Sequence, residues 1–174
     1  GLRHLGVQNV KPIISRGILI DIPLYKGIGR LTNSYEVTLA DVRGALAKQG
    51  IAESSITPGD VIIFRYGWAQ LWNTPQEYNR NPPGIGLEVA HWLIDKKVAM
   101  TGADTAPTEV QPNPNKDMVV PVHQELIMKN GIFNLENMDL ESLAASKVYE
   151  FLFIFTPTRF VGASGSPGRP IAIR

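Results

Sequence analysis

Thr57-Pro-Gly-Asp-Val-Ile-Ile-Phe64 joins a turn signature to four consecutive apolar residues. A run that short without polar alternation predicts a strand covered on both faces, the mark of a sheet with helices packed against it. Arg65, Tyr66, Gly67 and Trp68 stand at its far end. Downstream, Leu87 to Lys96 is apolar at 87, 89, 90, 92, 93 and 94, which predicts a helix lying on that sheet. Val98-Ala-Met100 then predicts a strand leading to Gly102 and Asp104. Strand, helix and strand in this order make a βαβ unit.

The same alternation extends both ways. Gly17-Ile-Leu-Ile-Asp-Ile22 predicts a buried strand stopped by Pro23, and Thr38 with Asp41 forms a capping box for a helix that presents Leu39, Val42, Ala45 and Leu46, with Gly50 past its end. A third helix is expected from Pro121 to Lys129-Asn130-Gly131, and further strands over Ile132 to Leu135, Val148 to Phe155 and Ile171 to Ile173. Residues 69–86 read as a long loop with room for a helical turn, 107–117 as a Pro/Asn-rich bridge, and Gly162 to Gly168 as a flexible loop lacking the strand-to-helix turn of a nucleophile elbow. The fold class is α/β.

With 174 residues the chain suits one domain, and 17 Lys and Arg against 16 Asp and Glu give a net charge of +1 with no run of like charge. No nucleic-acid partner and no membrane surface is expected from that balance. The absence of cysteine excludes disulfides, thiolate metal sites and a cysteine nucleophile. No apolar run approaches the roughly 20 residues of a membrane helix, and no signal peptide opens the chain, so a cytoplasmic location is expected. The paired glycines at 27 and 29 and at 84 and 86 lack the context of a dinucleotide fingerprint.

Ligands in such sheets gather beyond the strand carboxyl ends, which offer Arg65 and Trp68, Asp104 and Thr105, and Glu136 and Asn137. His123 and Glu136 form the best-defined pair. The helix from His123 to Asn130 advances roughly 10 Å, and a strand from Gly131 back to Glu136 covers roughly 16 Å, so an antiparallel return sets the two side by side. An imidazole beside a carboxylate could ligate a metal and work as acid and base, or it could be a core histidine held by a structural glutamate; spacing leaves both open. His91 reads as a packing residue on its apolar helix, and His4 sits in an unpatterned terminus.

Taken together, Gly59-Asp-Val-Ile-Ile-Phe-Arg-Tyr-Gly-Trp68, Pro83-Gly-Ile-Gly86, Gly102-Ala-Asp-Thr105, Pro121-Val-His123, Gly131-Ile, Leu135-Glu-Asn137 and Gly165-Ser-Pro167 resemble the cyclase family that includes bacterial kynurenine formamidase and isatin hydrolase. The resemblance runs in order from about residue 12 to the C-terminus. It implies a swivelling β/β/α domain with a mixed sheet flanked by helices, a homo-oligomer, and metal-dependent hydrolysis of a small amide, imide or lactone-like bond with zinc or manganese. His123 and Glu136 match family positions that complete a second metal site or act as the acid/base pair, while Arg65, Trp68 and Asp104 match positions around the substrate pocket. The family's primary metal motif, HxGTHxDxPxH, does not occur in these residues. The expectation is therefore a single domain over 1–174 that corresponds to the C-terminal portion of such a protein. A metal-free binding or scaffold protein, and a cyclase or dehydratase using the same pair to abstract a proton, are the competing functions.

Overall fold

In the computed structural model, which describes residues 4–174, the apolar runs pair into one six-stranded mixed sheet. The strands are β1 (Ile13–Asp21), β2 (Glu36–Val37), β3 (Val61–Arg65), β4 (Gly84–Ile85), β5 (Met100–Ala103), β6 (Phe133–Leu135), β7 (Glu150–Phe155) and β8 (Ile171–Ile173). The large sheet runs β6-β5-β3-β1-β7-β8, and β2 with β4 forms a separate pair. Strands β1, β3, β5 and β6 are parallel to one another, whereas β7 is antiparallel to β1, and β8 to β7. The helices are α1 (Ile22–Lys26), α2 (Leu39–Lys48), α3 (Pro75–Tyr78), α4 (Leu87–Asp95), α5 (Pro121–His123) and α6 (Glu141–Ala145). This is the mixed α/β architecture expected from the sequence.

Burial on both faces explains the unbroken apolar strands. Ile62 and Phe64 of β3 join Ile18 and Ile20 of β1 beneath Val42, Ala45 and Leu46 of α2 and Val89, Ala90 and Leu93 of α4. Val61 and Ile63, pointing the other way, pack with Leu19, Phe151, Phe153 and Leu140. The capping box of α2 is present: Thr38 Oγ1 accepts from the Asp41 N–H at 3.2 Å, and Asp41 Oδ2 accepts from the Thr38 N–H at 3.1 Å.

Several boundaries differ from the sequence expectations, each for a local reason. Strand β1 starts at Ile13 because its pairing with β7 begins there, Ile13 facing Phe155. It ends at Asp21, whose side chain accepts the Leu24 N–H at 3.0 Å and caps α1. Pro23 thus opens a helical turn, where its missing N–H costs nothing, and Ile22 is helical. Strand β5 begins at Met100, where the expected strand ended. The segment 69–86 holds a 3₁₀ turn, α3 and β4. Helix α5 widens into a π-helix over Gln124–Lys129, a winding often found beside functional sites. His91 is exposed, because the buried stripe of α4 is formed by Val89, Ala90, Trp92 and Leu93.

Strand β8 is an edge strand. The register places Ile14, Leu152, Ile171 and Ile173 on one face across β1, β7 and β8, and all four are exposed. No helix among the described residues is long and apolar enough to cross a membrane. The two kinds of apolar position respond differently to truncation. Ile62→Ala, at a fully buried position, is expected to cost about 2–5 kcal/mol of unfolding free energy in urea titrations. Ile14→Ala, at a residue 67% exposed, should stay within about 0.5 kcal/mol of the parent.

Candidate functional site

Parallel pairing aligns the carboxyl ends of β3, β5 and β6 along one edge, and the residues just beyond them interlock. Asp104 follows β5 and is fully buried. The chain leaving β3 wraps around it, so that the carboxylate accepts the Tyr66 and Trp68 N–H groups, each at 2.8 Å. Gly67 makes this wrap possible by adopting a left-handed conformation at φ 74°. Burial pushes the Asp104 carboxyl up to about 6, although the surrounding amides oppose that rise. Trp68, also buried, donates its indole N–H to the Tyr78 carbonyl at 2.8 Å. The Tyr78 hydroxyl in turn lies 2.7 Å from Asn137 Oδ1, and burial with Asp104 and Glu136 nearby raises it to about 12.

Arg65 ends β3 inside an ion-pair network. Its Nε and Nη2 donate to the two oxygens of Glu141 at 2.9 Å each, and Nη1 donates to Asp21 Oδ1 at 3.0 Å. The fork thereby ties α6 and the end of β1 to β3. Arg65, Trp68 and Asp104 lie together as a cluster whose polar groups are engaged within the protein.

His123 and Glu136 are brought together as their spacing predicts: Nε2 lies 3.1 Å from Glu136 Oε1. A third group, Glu109, completes the constellation and has no exposed surface. His123 Nδ1 lies 2.5 Å from Glu109 Oε1, and the same carboxylate accepts the Val122 and His123 backbone N–H groups at 3.1 Å each. Glu136 Oε1 also accepts from Asn134 Nδ2 at 2.9 Å and from the Thr108 N–H at 3.2 Å. The hydrogen bonds to Glu109 and then Glu136 raise His123 to about 9 against the opposing effect of burial. Burial alone would push Glu136 up, but the His123 hydrogen bond and charge hold it below the usual carboxylate value.

Glu109 carries no periodic or motif signal, since it sits in the Pro- and Asn-rich bridge. It is placed by a close backbone approach: Ile85 N–H donates to the Thr108 carbonyl, and Val110 N–H to the Ile85 carbonyl, each at 3.2 Å. Gly84 permits the approach, because a Cβ there would lie 2.3 Å from the Glu109 carbonyl carbon. Pro83-Gly-Ile-Gly86 was the available sign that another strand of backbone comes near. An apolar cavity of about 390 Å³, lined by Ile63, Leu143, Phe151 and Phe153 among others, lies beside α6, and none of His123, Glu109 or Glu136 borders it.

The donor set falls short of a metal centre. Among the described residues no group of three His, Cys, Asp or Glu side chains is arranged to hold an ion. His123 and the two glutamates satisfy one another, and a closed site needs about four ligands. These residues alone do not make a metal centre.

The family model for Putative cyclase matches residues 2–110, more than half of the chain. The chain belongs to the cyclase family. A crystal structure of a novel cyclase superposes with a TM-score of 0.84 at 33% identity, over 97% of this chain and 56% of that one. Isatin hydrolase A from Ralstonia solanacearum gives 0.75 at 19% identity, over 95% of this chain and 62% of that one. A predicted metal-dependent hydrolase from Bacillus stearothermophilus gives 0.61 at 18% identity, over 91% of this chain and 62% of that one. This cyclase-family chain therefore spans between 56% and 62% of the length of these solved structures. No curated protein matches it.

Two outcomes are expected of the site as it stands. Arg65→Ala leaves the buried Asp21 carboxylate unpaired and should cost about 3–5 kcal/mol in urea unfolding. Because His123 binds its proton more tightly folded than unfolded, its contribution to stability is complete below about pH 6.5 and is lost as pH rises toward about 9. Unfolding free energy should fall across that window, and His123→Gln should flatten the slope.

Proposed function

We propose that this chain is the part of a cyclase-family hydrolase that supplies the proton-transfer pair for opening a small amide, imide or lactone-like bond. The observation that carries the reading is His123 held between Glu109 and Glu136, with the His123 and Glu136 side chains each 28% exposed and Glu109 wholly enclosed. The solvent-facing side of the constellation thus presents one imidazole nitrogen and one carboxylate to a small substrate.

Their opposite charge states divide the work. Glu136, held ionised, takes a proton from the attacking water as its oxygen bonds to the carbonyl carbon. His123, held as imidazolium near neutral pH, gives its Nε2 proton to the departing nitrogen or oxygen as the scissile bond breaks. The proton left on Glu136 then passes across the 3.1 Å contact to His123, restoring both groups. Arg65, Trp68 and Asp104 are proposed to shape the substrate side by fixing the backbone at the end of β3.

Solved proteins of similar fold are described as potential or predicted metal-dependent hydrolases, which supports a divalent ion in the complete enzyme, and zinc or manganese is proposed for it. With an ion in place of the His123 Nε2 proton, His123 and Glu136 would contribute two donors, the acid step would pass to another group, and the remaining donors would come from outside the described residues. A homo-oligomeric assembly, a small-molecule substrate and a cytoplasmic location belong to the same proposal.

The test is turnover of a panel of small aryl amides, cyclic imides and lactones in ¹⁸O-labelled water. Hydrolysis places one labelled oxygen in the product, and cyclisation or dehydration does not. His123→Ala and Glu136→Ala should each lower kcat/KM about 10²–10⁴-fold while circular dichroism stays unchanged. Folded variants with parental rates would remove both residues from the reaction.

A further inference from the structure

The geometry points to Glu109 as a positioning residue that holds the neutral His123 ring in its Nδ1–H form, with the Nε2 lone pair turned toward Glu136 and the open side of the site. Its catalytic consequence rests on the hydrolytic reading of His123, whereas the assignment itself rests on hydrogen-bond inventory. A glutamate carboxylate only accepts. Glu109 is fully buried, and three donors converge on its two oxygens: the Val122 N–H, the His123 N–H and the His123 ring at Nδ1. No water can take the place of the ring donor without opening this enclosed pocket.

A neutral imidazole carries one N–H, and two carboxylates face its two ring nitrogens. Removing the proton from Nδ1 would set a lone pair 2.5 Å from a buried carboxylate oxygen that keeps only the His123 backbone N–H as a donor. Removing it from Nε2 is much less costly. That contact is 3.1 Å, Glu136 is partly exposed, and it retains the Asn134 amide and the Thr108 N–H as donors. Asn134 Nδ2 also lies 3.4 Å from Nε2 and can donate to its lone pair. The short, enclosed contact therefore keeps its proton, and the longer, open one gives it up.

The same carboxylate also fixes the ring in space. It binds the first backbone amides of α5 and the far edge of the side chain they carry, so the backbone and imidazole of His123 are anchored to one group. Neither rotation nor tautomer exchange is free. Glu109 itself is held by the strand-like pairing of its neighbours with Ile85.

The experiment is ¹⁵N NMR of histidine-labelled protein at a pH where the ring is neutral. There are three histidines, so His4→Gln and His91→Gln identify the His123 signals. The expected spectrum has a protonated Nδ1 and an unprotonated Nε2, the reverse of the preference of free imidazole. In Glu109→Ala the ring should shift toward Nε2–H, and kcat for any hydrolysed substrate should fall about 10- to 100-fold. Glu109→Asp, which keeps the charge, should restore part of both.

A parental spectrum showing Nε2–H overturns the assignment, and this readout does not depend on any variant folding. So does a Glu109→Ala protein that loses activity yet keeps Nδ1–H, since that would be a structural effect alone. An Nδ1–H ring in a protein that turns over none of the panel supports the assignment and counts against the hydrolytic reading.

Discussion

A carboxylate removed from water persists as an anion only where donors surround it, and this requirement organises the whole strand-end edge of the sheet. Asp21, Asp104 and Glu109 are all buried there. Each recruits a different piece of chain: Arg65 for Asp21, the turn after β3 for Asp104, and the start of α5 for Glu109. The loops are thus fixed less by their own propensities than by the anions they must satisfy. One unpaired member would expose the cost of the arrangement, because burying a lone carboxylate outweighs any single hydrogen bond nearby.

Within this edge the two clusters differ in what remains available. Arg65 and Asp104 spend their hydrogen-bonding capacity on the protein, leaving them scaffolding for the turn that carries Trp68. His123 and Glu136 keep an open side. Tyr78 and Asn137 connect the two clusters, so a shift in the turn after β3 would be felt at β6.

The central βαβ unit was legible because burial on both faces writes an apolar run into Val61 to Phe64 and a wide apolar stripe into Leu87 to Ile94. The meeting of His123 and Glu136 was legible from helix and strand rise alone. Glu109 was not, because its place depends on a long-range backbone contact with Gly84-Ile85 that leaves no periodic trace. Pro23 misled for a related reason. The same residue that stops a strand also starts a helix, and Asp21 as a cap selects the second outcome. Helix α6 escaped notice since it is only five residues long, with its position secured by the Arg65–Glu141 pair.

The antiparallel pairing of β1 with β7 carries a kinetic consequence. Ile13 faces Phe155, so one side of the nine-residue strand β1 receives its partner only after most of the sequence has been made. At ribosomal rates of about 5–20 residues per second that interval is roughly 7–30 s. During it the β1 edge is an open template for other chains, and contacts of such sequence separation are slow to form even in the finished polypeptide. Chaperone dependence and loss of yield at high expression temperature would trace to this one strand pairing, well away from the residues that carry the chemistry.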